Sequence, residues 1–325
     1  MTVRVPSNSL KKPGRNQIIA MTEHIIDIKG LNKAYGRTQV LHGLEMQVQA
    51  GAVYGLLGRN GAGKTTTLRI LMDLIRPGSG SIQVMGHRPE NLPLSLRQQI
   101  GYSSDSMQLI PWLRADELLN HNGAFYPNWD PDYVGLWLKR LSLDGRKRVF
   151  SLSRGDRQKL ALIMAIGHRP RLLILDEPAG GLDPLARQEF LESIIELIHE
   201  AGTTIVLSSH QMSDLERIAD HIGLMVDGRM RLQCPLDALK SRSRRVQLIG
   251  QGLRLEQLKA MPGVVHALQR GALLEAVLDD WSPDSEQKLL ARFGEVRIES
   301  SPLTLEELFL VYTSKLTAGG ATCPA

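Results

Sequence analysis

Eight consecutive residues, Gly58-Arg59-Asn60-Gly61-Ala62-Gly63-Lys64-Thr65, match the spacing G-x-x-x-x-G-K-[ST]. Glycines at these places let the backbone curl until several N–H groups face one anion. A helix that starts at the lysine adds the partial positive charge of its N-terminus. Lys64 then reaches the outer phosphates of a nucleoside triphosphate, and the Thr65 hydroxyl can ligate Mg2+. The expected phosphate-binding set is Gly58, Arg59, Asn60, Gly61, Ala62, Gly63, Lys64, Thr65 and Thr66. Downstream, the run Leu172-Leu173-Ile174-Leu175 ends in Asp176-Glu177. A strand end would place Asp176 at the metal. Glu177 would then sit beside the γ-phosphate as the candidate general base that polarises a water. Apolar runs ending in Asp are common; following such a loop, this one points to ATP binding and hydrolysis with Mg2+.

These groups meet only if particular elements hold them. Ala52–Leu57 reads as a buried strand feeding the glycine turn, and Thr65–Ile75 as the helix after it, with Pro77 and Gly78 as stop signals. The four apolar residues 172–175 read as a central parallel strand covered on both faces. A helix over Leu185–His199 leads to a further buried strand, Thr203–Leu207. Earlier strands are expected at Ile25–Ile28, Leu41–Val48 and Ser81–Val84. Alternating strands and helices predict an α/β fold with a parallel sheet. Residues 106–150 are mainly helical in pattern, most clearly at Ala115–Gly123 and Tyr133–Leu141. Beyond Pro235 the composition shifts, and 236–245, with Ser241–Arg245 (SRSRR), reads as a linker. Strand-like 246–249, helical 255–261, strands at 264–268 and 273–278, helix 285–293 and strand 296–299 follow. That β-α-β-β-α-β order suggests a small ferredoxin-like module across 246–315, ahead of a tail at 316–325. Asp279-Asp280 reads as a solvated turn rather than a metal site.

The ordered motifs resemble the nucleotide-binding domain of the ABC superfamily across residues 21–235. Ser151-Leu152-Ser153-Arg154-Gly155-Asp156-Arg157-Gln158 resembles the signature LSGGQ and stands just before the 172–177 strand. Gly181-Leu182-Asp183 resembles the D-loop. His210, after Ser208-Ser209, resembles the switch histidine, which holds the γ-phosphate and the attacking water. Tyr35 resembles the aromatic that stacks on adenine; a half-buried strand tyrosine is the plainer reading. The resemblance implies a P-loop NTPase core with antiparallel β and α-helical subdomains, the small C-terminal α+β module being additional. It also implies that two copies stack head to tail, with Ser153 and Gly155 of one closing on the nucleotide of the other, and that contacts at 106–150 drive a separate transmembrane permease. Phe125-Tyr126-Pro127-Asn128-Trp129-Asp130 and Leu303–Phe309 resemble a bacterial ABC-2-type exporter branch. Along with Pro111-Trp112-Leu113, the first string supplies aromatics that either anchor a partner or pack the subdomain's own core.

Two places depart from the family pattern. Arg154 replaces a glycine and Asp156 a glutamine in the signature. Asp156 is comfortable in a first helical turn; Arg154 can contact phosphate or pair with an acid across the dimer. At the position of the family's Q-loop glutamine the count gives Asp105, with Gln108 as the rival. A carboxylate at 105 can ligate Mg2+ or hold water.

The 325 residues are 42% hydrophobic and 22% charged, ordinary for a globular protein. Residues 1–20 hold Arg4, Lys11, Lys12 and Arg15 and no acid, so four of the formal +5 lie there and +1 is left for the rest. A near-neutral body gives no argument for nucleic acid. Residues 1–20 read as a polar extension without a secretory apolar core; a start at Met21 and a plain basic tail are both open. No run approaches the roughly 18 apolar residues of a spanning helix; the place the resemblance implies is the cytoplasmic side of the bacterial inner membrane, through a membrane partner. Cys234 and Cys323 fit a reducing compartment. An ABC ATPase without a membrane partner and a regulatory ATP-binding module with weak hydrolysis are the competing readings.

Overall fold

The computed structural model describes residues 24–316 apart from 251, 280 and 283. The readings of 1–20, Met21, Asp280, Cys323 and the tail beyond Leu316 lie outside the described residues. The chain begins with a hairpin, β1 (His24–Tyr35) and β2 (Thr38–Gln49). Next come β3 (Val53–Leu57), α1 (Lys64–Leu71), β4 (Ser79–Val84), the short α2 (Leu94–Arg97) and β5 (Ile100–Ser104). The helical insert holds α3 (Ala115–Gly123) and α4 (Pro131–Arg140) and returns through α5 (Arg154–Ile166). Then follow β6 (Leu172–Asp176), α6 (Pro184–Ala201), β7 (Thr204–Ser209), α7 (Met212–Ile218), β8 (His221–Val226) and β9 (Arg229–Pro235). The C-terminal part comprises α8 (Leu236–Arg242), β10 (Ser243–Ile249), α9 (Leu255–Lys259), β11 (Val264–Arg270), β12 (Leu273–Asp279), α10 (Ser285–Phe293), β13 (Arg297–Pro302) and α11 (Leu305–Leu316).

A six-stranded sheet in the order β5-β6-β7-β3-β8-β9 forms the centre. All its neighbours are parallel except β8 and β9. Alternate side chains of its inner strands serve two cores, as a period of two requires. Tyr54, Leu56, Leu172, Ile174 and Val206 pack with α1 and the antiparallel sheet β2-β1-β4. Val53, Leu57, Leu173, Leu175, Ile205 and Leu207 face the helices of the other side. The parallel register sets Ser104, Asp176, Ser208 and Leu56 side by side, so the strands' carboxyl ends form one rim. Such a rim is where open α/β sheets bind ligands.

The helix after the glycine turn ends at Leu71, short of the expected Ile75. Asp73 takes the left-handed conformation (φ 59°), and Asp73 N and Leu74 N donate to the carbonyls of Ile70 and Arg69. This paired closure satisfies the last carbonyls before Pro77 is reached. The expected linker at 236–245 is also corrected: its residues are α8 and the start of β10. Arg242 donates to both oxygens of Asp279, Ser243 adds a third bond there, and Arg245 pairs with Glu307, so two of the run's three arginines are held by acids of the C-terminal part.

The C-terminal sheet runs β11-β12-β10-β13, with every neighbouring pair antiparallel and α9 and α10 at the two crossovers. Its small core includes Val246, Leu248, Leu258, Leu274 and Leu289. Helix α11 does not join that core. Leu305, Leu308, Phe309 and Val311 enter the large core beside Leu57, Leu224, Leu232 and Leu239. The last described helix thus packs on the nucleotide-binding domain.

Candidate active site

Strand β3 carries the chain straight into the glycine turn. Gly63, at φ 103°, precedes Lys64 where a Cβ would stand 2.6 Å from Leu41 Cδ2, so both conformation and space require glycine. Helix α1 starts with no side-chain cap and no acid in its first turn. Its first N–H groups therefore point into the turn and suit an anion from solution. Lys64 is buried, and its ammonium donates to the Gly58 carbonyl at 2.7 Å and lies 3.0 Å from Glu177 Oε1. Ala62 is buried, whereas Arg59, Asn60 and Gly61 lie exposed at the outer edge of the turn and Thr66 is half-buried.

Asp176 ends β6 almost fully buried. Its Oδ1 accepts from the Thr65 hydroxyl at 3.1 Å and from the Ser208 hydroxyl at 2.7 Å. Glu177 follows in the left-handed region (φ 51°), a strained backbone for a non-glycine residue that persists only where neighbours hold it. One such neighbour is Ser208, whose Oγ accepts from Glu177 N at 2.9 Å. The Glu177 carboxylate lies between Lys64 and His210, with His210 Nδ1 2.7 Å from Oε2. Six expected residues, Gly58, Gly63, Lys64, Thr65, Asp176 and Glu177, thus meet at the carboxyl rim, with His210 directly behind.

The structure fits Mg2+ in a limited way. Thr65 and Asp176 bring a hydroxyl and a carboxylate oxygen together, and among the described residues no group of three or more His, Cys, Asp or Glu side chains forms a metal cluster. Mg2+ characteristically takes one or two protein oxygens and fills the rest with phosphates and water.

Asp105, expected at the metal, has its carboxylate engaged on the helical-insert side. Both of its carboxylate oxygens accept from Arg154 Nη2 at 2.8 Å, and Oδ1 also from Gln158 Nε2 at 3.0 Å. Its backbone N–H turns to β6, donating to the Asp176 carbonyl at 3.1 Å. The arginine in the signature-like segment supplies the charge that draws the carboxylate away. Gln108 instead lines a groove with Phe150 and Arg157.

Tyr35 ends β1, 48% exposed, with Lys33 Nζ 5.1 Å from its ring centroid. It is open to a stacking partner, and as the last residue of a strand, about half exposed, it also fits the plainer reading. Ser153 caps α5 by accepting from Asp156 N at 3.0 Å, and Asp156 occupies the first turn, where its charge suits the helix dipole. Gly155 lies beside Leu182 and Ala186, so Ser153 and Gly155 are arranged around their own helix start and D-loop-like segment rather than the 58–65 turn. Ser208 and Gln158 are site residues that the sequence reading missed. The signal for Ser208 was a polar residue closing a buried strand beside Asp176, visible only with the β6–β7 register.

The ABC transporter family model matches residues 41–180. The chain is 36% identical over 223 residues to "Bacitracin transport ATP-binding protein BcrA" of Bacillus licheniformis, covering 68% of this chain and 73% of that one. The chain belongs to the ABC transporter ATP-binding proteins. It is also 32% identical over 312 residues to "Daunorubicin resistance ATP-binding protein DrrA3" of Streptomyces coeruleorubidus, covering 90% and 97% of the two chains. Among solved structures, "Structure of ATP binding subunit of ABC transporter" matches with TM-score 0.60 at 29% identity, covering 67% of this chain and 92% of that one. In this ABC ATPase the glycine turn at 58–65 and the strand-end acids at 176–177 both lie within the matched residues 41–180. ATP is its nucleotide, and its hydrolysis is coupled to transport.

The aromatics of the helical insert divide in this ABC protein. Tyr126 stacks on buried His168 with centroids 3.9 Å apart, and Trp129 packs against the large core. Trp112, Phe125 and Phe150 stay exposed at 69%, 62% and 62%.

Proposed function

We propose that two copies of this chain close around two ATP molecules and power a separate transmembrane permease, in the direction of export. The observation that carries the reading is the uncapped start of α1 with Lys64, faced by Asp176 and Glu177 at the carboxyl end of β6. Bound triphosphate would draw the α1 N–H groups and exchange the Gly58 and Glu177 contacts of Lys64 for phosphate oxygens. Glu177 is then released toward the attacking water, takes its proton as the new O–P bond forms, and ADP leaves with the pair of electrons from the broken bond. His210, hydrogen-bonded to the other carboxylate oxygen, keeps that carboxylate oriented. Mg2+ held by Thr65 and Asp176 would neutralise charge on the phosphates. Ser153 and the Gly155 amide, at the N-terminus of α5, would close on the other copy's nucleotide, and Tyr35 would stack on adenine.

No helix among the described residues is long and apolar enough to cross a membrane. The permease reading is supported by a groove of about 480 Å3 between residues 104–111 and Val149, Phe150 and α5, flanked by exposed aromatics. The protein would then work at the cytoplasmic face of a bacterial membrane without entering it. Export accords with the daunorubicin resistance named for DrrA3.

Glu177→Gln is expected to keep ATP binding, lose hydrolysis and elute as an ATP-loaded dimer on size exclusion. A wild type with no Mg-dependent turnover would favour the regulatory reading, which the Arg154 and Asp156 departures motivate.

A further inference from the structure

The chain leaves the central sheet at the end of β5 and returns at the start of α5, so Asp105 and Arg154 stand at the two ends of the helical insert. They are 49 residues apart in sequence and joined through both oxygens of Asp105 at 2.8 Å. Gln158, buried one turn further along α5, donates to Asp105 Oδ1 at 3.0 Å and to the Gly180 carbonyl at 2.9 Å. Gly180 N in turn donates to the Glu177 carbonyl at 2.9 Å, and Asp105 N to the Asp176 carbonyl at 3.1 Å. A short chain of hydrogen bonds therefore runs from the neck of the insert to the backbone of both acids.

Charge explains why these residues occur together. Arg154 is the first residue of α5, where the helix dipole disfavours a cation, and a nearby acid offsets that. Gly181, at φ 69°, leaves room for the guanidinium; a Cβ there would overlap it. A glycine at 154 could not reach residue 105, and a glutamine at 105 could not balance an arginine. Two of the departures from the ABC pattern, Asp105 and Arg154, thus balance each other's charge.

We propose that Asp105 and Arg154 form a positioning pair: together they set how the helical insert sits on the core and thereby hold the backbone of Asp176 and Glu177 for hydrolysis. The proposal rests on the ATPase reading above. Arg154 is 53% and Asp105 36% exposed at the side chain, so the pair contributes little to global stability and its effect lies in geometry.

A double-mutant cycle tests it with Asp105→Ala, Arg154→Ala and the double variant, and with Asp105→Asn and Arg154→Lys should an alanine variant fail to fold. Mg-ATP turnover, KM and thermal midpoint are measured for each. Each single variant is expected to lower kcat about tenfold with KM nearly unchanged, and the double variant to be no worse than the poorer single. Arg154→Lys should recover part of the loss, because it keeps the charge and loses the fork. Raised salt should lower wild-type kcat toward the variants'. Effects that multiply in the double variant would overturn the pair. So would an Arg154→Ala variant that raises KM while Asp105→Ala is silent, since that places the arginine on nucleotide. A wild type without turnover is a different failure, of the ATPase reading itself, and removes the basis of the pair with it.

Discussion

Ser208→Ala removes a single hydroxyl that holds both acids of the site. Its oxygen donates to Asp176 Oδ1 at 2.7 Å and accepts from Glu177 N at 2.9 Å, and the residue is fully buried. A hydrogen bond to a charged acceptor contributes about 1.5–3 kcal/mol, and a buried N–H left without a partner costs about 1–3 kcal/mol. The two losses share one atom and do not add fully, so a net destabilisation of about 2–4 kcal/mol is expected. At roughly 2–4 °C per kcal/mol for a large domain, the thermal midpoint should fall by about 4–16 °C. Glu177 is held at φ 51° partly through this bond, and relaxation of that strained backbone moves the carboxylate off the water. If about 1.4 kcal/mol of the loss appears in the transition state, kcat falls about tenfold. The assay is steady-state phosphate release in Mg-ATP, at a temperature where urea titration shows the variant fully folded. A folded variant with wild-type kcat and an unchanged midpoint would refute the claim that Ser208 ties the two acids together.

Ending the chain after Thr304 removes α11, and with it the buried Leu305, Leu308, Phe309 and Val311, so the urea midpoint should drop by an amount equivalent to on the order of 5 kcal/mol; an unchanged midpoint would show that the helix does not dock. Burial pushes the His168 imidazole down to about 4. The unfolded chain therefore binds the extra proton first, and stability contributed by neutral His168 is full above pH about 6.5 and falls as pH drops toward 4. His168→Phe, which keeps a ring against Tyr126, should flatten that part of the stability–pH curve; an unaltered slope would remove His168 as its source. Glu177→Gln should retain uncleaved ATP after gel filtration, and recovery of ADP instead would exclude Glu177 as the base.

The glycine loop and the strand ending in Asp176 were legible because their signals are local: a fixed spacing, and an apolar run too short for a helix. Helices α3 and α10 coincide with their sequence boundaries for the same reason. Long-range pairing defeated the reading elsewhere. Nothing beside Asp105 indicates that a guanidinium 49 residues away will claim its carboxylate. Nor does SRSRR announce that Asp279 and Glu307 will turn a basic run into a helix end and a strand. The amphipathic residues of α11 could serve either core, and only the apolar wall of Leu57, Leu224 and Leu239 decides which. The insert's aromatics were ambiguous for a related reason. Tyr126 is inward because His168 lies under it, while Trp112 has no such neighbour in the sequence around it.

The central claim is that the turn at 58–65 with Lys64 grips the triphosphate of ATP opposite Asp176 and Glu177. Isothermal titration of Mg-ATP into wild type and Lys64→Ala tests it most directly. Saturable binding near one nucleotide per chain, weakened about a hundredfold or more by the substitution, is the expected result, since a buried charge-assisted contact of about 3 kcal/mol is lost. Silence from the wild type, or equal affinity in the variant, would contradict it.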